Sequence, residues 1–419
     1  MLLGGCGSLE RRIALQDPLY TDAHAEALLQ WFALQQRQLP WRSPPGAPPT
    51  PAYAVLVSEL MLQQTRVETV LDYFRRWMQR WPTIEDLASA SLDDVLAQWT
   101  GLGYYNRARN LHRTAVEVTT QFSGVIPSDE GSLASLPGLG PYTVGAIRSI
   151  AFGQPAALVD GNVARVLARW HAVAADPQST PGKSLIWQHA ERWLHSPSAR
   201  QSPSAWNQAL MELGATICSP RNPDCSQCPV SAGCQAFALG TPTDFPPPRQ
   251  RKTSPIVAAQ HALVVVDSAD AQVADPGQML VLLGQRPSSG RWAGLWEPPG
   301  TEGPDGAERL QNWLSDQALA NAQEQPMITH ILTHRRYEVR PLLVRTEDRP
   351  VDLGALGYVA QRWMPLAQAM SKTSGLSRLA QRLLEGLYAA PALEVGGPQA
   401  KRQVDLFLQN GPPSGHTAS

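Results

Sequence analysis

The chain has 419 residues, with 35 Lys and Arg against 36 Asp and Glu, a formal net charge of −1, and 43 % apolar and 17 % charged residues. That length is expected to hold two domains, each burying its own core, and no apolar run reaches the roughly 18–20 residues of a membrane span. The charge balance excludes a globally basic nucleic-acid binder, so any contact with DNA must use local clusters and backbone N–H groups.

In chain order, residues 1–20 read as a disordered extension. The start lacks the basic leader and apolar core of a lipoprotein signal, Cys6 reads as an incidental thiol, and a reducing, cytoplasmic location follows. Residues 21–240 read as an all-α domain. Ala54–Trp81 is apolar at helical spacing and is ended by Pro82. Ser91-Leu-Asp-Asp94 reads as a helix start with an acidic first turn. Further helices are expected over Tyr105–Phe122, Pro141–Phe152, Val163–Ala172, Ser184–Leu194 and Ala205–Ile217. Residues 241–256, with Pro246-Pro247-Pro248 and Arg249-Gln-Arg-Lys252, read as a semi-rigid linker. Residues 257–390 read as a smaller α+β domain. Its strands are expected at His261–Asp267, Met279–Arg286 and Tyr337–Thr346, and its helices at Ala307–Ala318 and Leu376–Tyr388. Residues 391–419 read as a flexible tail.

Four of the five cysteines, Cys218, Cys225, Cys228 and Cys234, fall in a C-x6-C-x2-C-x5-C pattern. A disulfide framework does not suit a chain this long without a secretory signal. Four soft ligands in a Pro- and Gly-rich loop suit zinc or a [4Fe–4S] cluster, with unbonded buried thiols as the bland alternative. The single C-x2-C pair favours the cluster over a two-knuckle zinc site. Upstream, Leu136-Pro-Gly138-Leu-Gly140-Pro-Tyr142 predicts a tight hairpin opening a helix, with N–H groups free to face an anion such as a DNA phosphate. Asp160 stands at the mouth of the following helix, where it reads either as an ordinary N-cap or as a functional carboxylate.

A helix-hairpin-helix, an Asp about 20 residues on, and this cysteine spacing resemble the endonuclease III superfamily of DNA repair glycosylases. Within it, Leu39-Pro-Trp-Arg42, Ser58-Glu59-Leu-Met-Leu-Gln63-Gln64-Thr65 and Trp99–Asn110 resemble the MutY-type adenine glycosylase branch. The resemblance implies a helix-hairpin-helix domain with an iron–sulfur loop at 218–234 and one [4Fe–4S] cluster as a structural element near the DNA. It implies Glu59 as the general acid that protonates adenine N7 and Asp160 as the carboxylate that stabilises the sugar cation. Tyr142 matches an active-site tyrosine and Asn162 the residue that orients Asp160. Arg37, Leu39, Trp41, Arg42 and Gln208 match the wall of the adenine pocket. Gln64 and Tyr104 match residues inserted at the lesion, and Gly138 and Gly140 the phosphate-facing hairpin. Because Glu59 lies in an otherwise apolar stretch, burial is expected to favour its protonated form. In the lyase branch the Tyr142 position is a lysine that forms a Schiff base, so a monofunctional glycosylase is expected.

Gly284–Gly300 resembles the Nudix-like domain of the same family, without the R-E-x-x-E-E helix that binds metal–pyrophosphate. The domain is therefore expected to recognise 8-oxoguanine rather than hydrolyse nucleotides, through Leu332-Thr333-His334 in place of the family's Phe-Ser-His. The expected partner is double-stranded DNA with A:8-oxoguanine or A:G mispairs, bound by a monomer with no membrane contact. Gln403-Val-Asp-Leu-Phe407 resembles the peptide that docks on the replication sliding clamp; clamp binding unchanged by deletion of residues 400–410 removes that idea. The competing readings are a bifunctional pyrimidine glycosylase-lyase and a non-catalytic iron–sulfur DNA-binding protein.

Overall fold

The computed structural model describes residues 20–44, 46–247, 255–266, 279–320, 322–332, 334–346, 352–371 and 374–389. These fall into two compact units: 20–90 with 106–247, and 91–105 with 255–389. The stretch 91–105, which the linear reading assigns to the first domain, thus groups with the second unit. Among the described residues no helix is long and apolar enough to cross a membrane.

The first unit is all helix, as expected, with no strand among its described residues. Its central element is Ala52–Leu62, in which every residue from Tyr53 to Met61 is buried. A helix apolar all round belongs in the middle of a core, and its one carboxylate, Glu59, is buried with its neighbours. The continuous helix expected over Ala54–Trp81 is broken. Ala52–Leu62 and Val67–Arg80 are separate helices, and Gln64 between them has φ +56°. The apolar residues run on through the break because the first helix is buried all round and the second buries Val70, Phe74 and Trp77 at helical spacing, so periodicity alone does not reveal it. Several other helices start where side chains cap free N–H groups. Thr83 and Asp86 form a capping box, and Asp129 and Ser179 accept from Ser132 and Gly182. Pro141–Ala146 continues as a π-helical turn, Ile147–Ala151. Gly161–Trp170 runs from Asp160, and its C-terminal Trp170 packs on Trp193 at 4.5 Å between ring centroids. Trp193 in turn packs on Trp206, of helix Pro203–Thr216, at 5.4 Å.

The second unit is built on an eight-stranded mixed sheet. Its strands are β1 (Ile256–Val266), β2 (Leu280–Gln285), β3 (Trp296–Glu297), β4 (Gly300–Glu302), β5 (Gln323–Glu324), β6 (Ile328–Leu332), β7 (Arg335–Arg345) and β8 (Ala360–Pro365). The main path is β3-β2-β1-β7-β5, with β4 on β1, β6 on β7 and β8 on β2. β1 and β7 run parallel, Ile256 opposite Arg336 through Val265 opposite Arg345; the other pairings are antiparallel. Both faces are buried. Leu263 and Val265 pack with Leu379, Leu383 and Leu387 of helix Arg378–Ala389. Ala262 and Val264 face the other way, onto Leu310 of helix Gly306–Trp313 and Leu314 just beyond it. This is the period-two alternation of a strand between two layers. The three expected strands lie within or close to β1, β2 and β7, with Asp267 outside the described residues. The single helix expected over Ala307–Ala318 is instead two, Gly306–Trp313 and Asp316–Ala320.

Within this second unit, helix Leu92–Trp99 starts at Ser91, whose hydroxyl accepts from Asp94 N. Gln285 Nε2 donates to Asp93 at 3.4 Å, and the Tyr105 hydroxyl donates to the Leu376 carbonyl at 3.2 Å. Tyr104 stands at φ +48° between these anchors and is 47 % exposed.

Candidate active site

A cavity of about 620 Å³ opens in the first unit. Its walls include Glu59, Tyr142, Asp160, Asn162, Arg37, Leu39, Trp41, Arg42, Gln64, Gln208, Gly138 and Gly140. Residues scattered over more than 170 positions of sequence are thereby brought together. Tyr104 and His334 do not line this cavity; both belong to the second unit. Thr333 and Gln403–Phe407 lie outside the described residues. Leu332 ends β6 and packs against the sheet core, and His334 is exposed at the tip of the β6–β7 hairpin.

Glu59 is 5 % exposed. The Tyr142 hydroxyl donates to its Oε2. Burial raises the Glu59 carboxyl to about 7; the Tyr142 bond and Arg42 oppose this, and Asp160 adds to it. Tyr142 is itself held well above its ordinary value by burial and by the two carboxylates, so it stays a phenol and a donor.

Asp160 does what its position as a cap dictates. Oδ1 accepts from Val163 N at 2.7 Å and Oδ2 from Asn162 Nδ2 at 3.0 Å. Burial raises this carboxyl too, but Val163 N, Asn162 and Arg165 all favour its ionised form. Glu59 has the Tyr142 bond and the Arg42 charge favouring its ionised form, so in each carboxyl burial is set against hydrogen-bond donors and a nearby guanidinium. Arg165 links this corner to the cysteine loop: it donates to Asn162 Oδ1 at 2.9 Å, to the Gly214 carbonyl at 2.7 Å and to the Cys218 carbonyl at 2.8 Å.

A second buried carboxylate, Glu212, was not singled out from the sequence. It is 1 % exposed and is clamped by Arg37 (Nε to Oε1, 2.7 Å) and Arg42 (Nη2 to Oε2, 3.1 Å). Burial pushes its carboxyl up, but the two guanidiniums outweigh this and hold it below its ordinary value. Arg42 also donates to Gln208 Oε1 at 2.9 Å, which fixes the amide on the wall. The available signal was a lone Glu within the apolar Ala205–Ile217 pattern, the same signal that marks Glu59. Gly138 has φ +76°, and a Cβ there would meet Asn110 Nδ2 at 2.4 Å, so the hairpin tolerates no side chain at that position.

The four cysteine thiols face one small cavity that is also lined by Arg169, Ile217 and Phe237. Burial raises Cys228 to about 12, with Cys218, Cys234 and Cys225 adding to it, so the four sulfurs sense one another. Arg169 Nη1 lies 3.3 Å from Cys218 Sγ and donates to the Ser219 carbonyl, and Nη2 donates to the Pro220 carbonyl.

Residues 57–195 match the model of HhH-GPD superfamily base excision DNA repair proteins, and residues 272–394 match the NUDIX domain model. The helical unit is thus that of a base-excision repair superfamily, followed by a Nudix-like domain. The adenine DNA glycosylase of Mus musculus is 37 % identical over an alignment of 391 residues that covers 83 % of this chain and 75 % of that protein. The enzyme of Mycobacterium tuberculosis is 40 % identical over 222 residues, 53 % of this chain and 70 % of that one. Among solved structures, a thermostable thymine-DNA glycosylase is 25 % identical with a TM-score of 0.45, covering 56 % of this chain and 99 % of its own. The chain belongs to the adenine DNA glycosylase family.

Proposed function

We propose that this chain removes adenine mispaired with 8-oxoguanine or guanine from duplex DNA, leaving an abasic site for base excision repair. The observation that carries the reading is the meeting of two carboxylates in one cavity: Glu59, buried and bonded to the Tyr142 hydroxyl, and Asp160, held by Val163 N and Asn162. Breaking an N-glycosidic bond needs a proton on the leaving base and negative charge near the sugar. Glu59 delivers its proton to N7 of an extruded adenine, and the C1′–N9 bond breaks with its electrons going to the base. Asp160, ionised, faces the oxocarbenium-like sugar. Glu59, now a carboxylate, takes a proton from the water that attacks C1′. Arg37, Arg42, Gln208, Leu39 and Trp41 form the pocket wall, and Gly138 and Gly140 offer the hairpin to a phosphate. The second unit, through Leu332, Thr333 and His334, reads the opposite base. Tyr104 and Gln64 enter the duplex, and Gln403–Phe407 docks on the sliding clamp.

The bifunctional alternative needs an amine nucleophile. Among the described residues lining the cavity none is a lysine, and Tyr142 is engaged with Glu59. The test is a duplex with A opposite 8-oxoguanine, set beside one with A opposite T. Adenine is expected to leave only the first, and the strand to break only after alkali. Breakage without alkali identifies a lyase, and an intact duplex after alkali ends the reading.

For the cysteines, we infer one [4Fe–4S] cluster. The four cysteines line one small cavity. A zinc tetrathiolate would need its sulfurs about 2.3 Å from one centre, whereas a cubane is a larger body that four thiols facing a common cavity can surround. Cys218, Cys225, Cys228 and Cys234 would hold it, tying the loop to the rest of the unit. The purified protein is expected to contain iron and acid-labile sulfide in equal amounts; stoichiometric zinc without sulfide overturns the assignment.

A further inference from the structure

The break between helices Ala52–Leu62 and Val67–Arg80 is held from outside. The last carbonyls of a helix have no partner within it. Here they are met by one guanidinium from 42–47 residues further along the chain. Arg107 Nη1 donates to the Leu60 and Met61 carbonyls, each at 2.8 Å, and to the Gln63 carbonyl, while Nη2 donates to Thr65 Oγ1 at 3.1 Å. Arg107 is 7 % exposed. Its charge sits at the negative end of the Ala52–Leu62 helix, where a cation is favoured. The residue enclosed by these bonds is Gln64, with a left-handed φ of +56° that a non-glycine side chain resists. Gln63, Gln64 and Thr65 all line the cavity. Arg42 and Asp160 are the charges that act on Glu59; Arg107 is not among them.

We propose that Arg107 is a positioning residue that fixes Gln64 in its left-handed turn at the cavity wall, so that Gln64 enters the duplex already ordered. The inference rests on the reading above in which Gln64 inserts at the lesion. Lysine keeps the charge at this position but cannot span three carbonyls and a hydroxyl at once. A flexible turn pays its ordering cost on binding.

The experiment is a double-mutant cycle in the full-length protein, using single-turnover adenine release and the Kd for the same duplex with a non-cleavable adenosine analogue. Residues in direct mechanical contact couple, whereas independent ones multiply. Arg107→Lys is expected to slow release and weaken binding by about tenfold in the wild-type background, but by less than about twofold in Gln64→Ala. The apparent pKa of its pH–rate profile is expected to match wild type. Equal losses in both backgrounds overturn the proposal while leaving Gln64 insertion standing, and so does an Arg107→Lys protein with wild-type kinetics. A Gln64→Ala protein with wild-type rate and Kd removes the insertion reading and the proposal with it. A shifted pH profile shows that Arg107 acts on Glu59 instead. Circular dichroism and Tm identify any failure to fold. Arg107→Gln, which retains two donors, then serves as the second variant, judged by the same cycle.

Discussion

Glu59→Gln is expected to abolish measurable adenine release while leaving the Kd for the mispaired duplex within a few-fold of wild type. The amide is nearly isosteric, and its oxygen can still accept the Tyr142 hydroxyl, so the cavity keeps its shape. What it loses is a transferable proton and, afterwards, a base for the attacking water. Loss of one general acid–base group costs about 10²–10⁴-fold, and here one residue serves both steps. The same chemistry sets the pH dependence. The carboxyl is raised from 4.5 to about 7 by burial, and its protonated form is the acid. The wild-type single-turnover rate should therefore hold below neutrality and fall as pH rises through about 7. Stability has a linked sign. A buried acid with a raised pKa contributes most below its unfolded value and loses that contribution as pH rises through its folded one. The penalty at pH 8 is on the order of 3 kcal/mol, and Glu59→Gln escapes it. The variant should therefore melt no lower than wild type at pH 8 while being inactive. A variant that retains release within tenfold of wild type would remove Glu59 from the mechanism.

Much of this site is legible in the sequence because its chemistry sits in local patterns. A carboxylate inside an apolar helical run marks Glu59. A breaker followed by a helix marks Asp160, and the Leu136–Tyr142 hairpin announces its own turn. What the sequence conceals has physical causes. The apolar residues of Ala54–Trp81 continue through the Gln63–Arg66 break, since a helix buried all round is followed by one that buries a single stripe at the same spacing. The bonds that stabilise the break come from Arg107, remote in sequence. The left-handed backbone of Gln64 and Tyr104 is equally hidden, because non-glycine residues carry no local mark for it. Both residues are ones the family resemblance assigns to the duplex, and strain at such positions is held by the surrounding structure. Glu212 escaped because its meaning depends on two arginines about 170 residues away.

In the second unit the long strands β1, β2 and β7 could be read from runs of Val and Leu, whereas β3, β4 and β5 have two or three residues each. Two or three residues cannot establish alternation; such strands exist because longer ones offer them partners, β2 for β3, β1 for β4 and β7 for β5. The grouping of 91–105 with residues 255–389 was likewise invisible. It depends on contacts such as that of Tyr105 with the Leu376 carbonyl, which no composition shift announces.

Asp160→Asn separates the two readings of that residue. As a cap, Asp160 accepts from Val163 N, and Asn caps helices as well as Asp does. If capping were its whole role, the substitution would change neither stability nor rate by much. As an electrostatic group, Asp160 supplies a negative charge to a sugar that becomes positive as adenine departs. Its own donors, Val163 N and Asn162, together with the nearby Arg165 charge, favour the ionised form. Removing a preorganised charge or dipole of this kind costs about 10²–10³ in rate. The expected result is therefore a loss of that size in single-turnover release, with Tm shifted by no more than a few degrees and duplex binding retained. Removing the carboxylate also removes one negative charge that raises Glu59. The pH at which the residual rate falls should move down, toward the ordinary carboxyl range. A structural cap would leave that inflection where it was. A rate loss accompanied by an unmoved inflection would show that the two carboxylates act separately, and an unchanged rate would return Asp160 to the role of an N-cap alone.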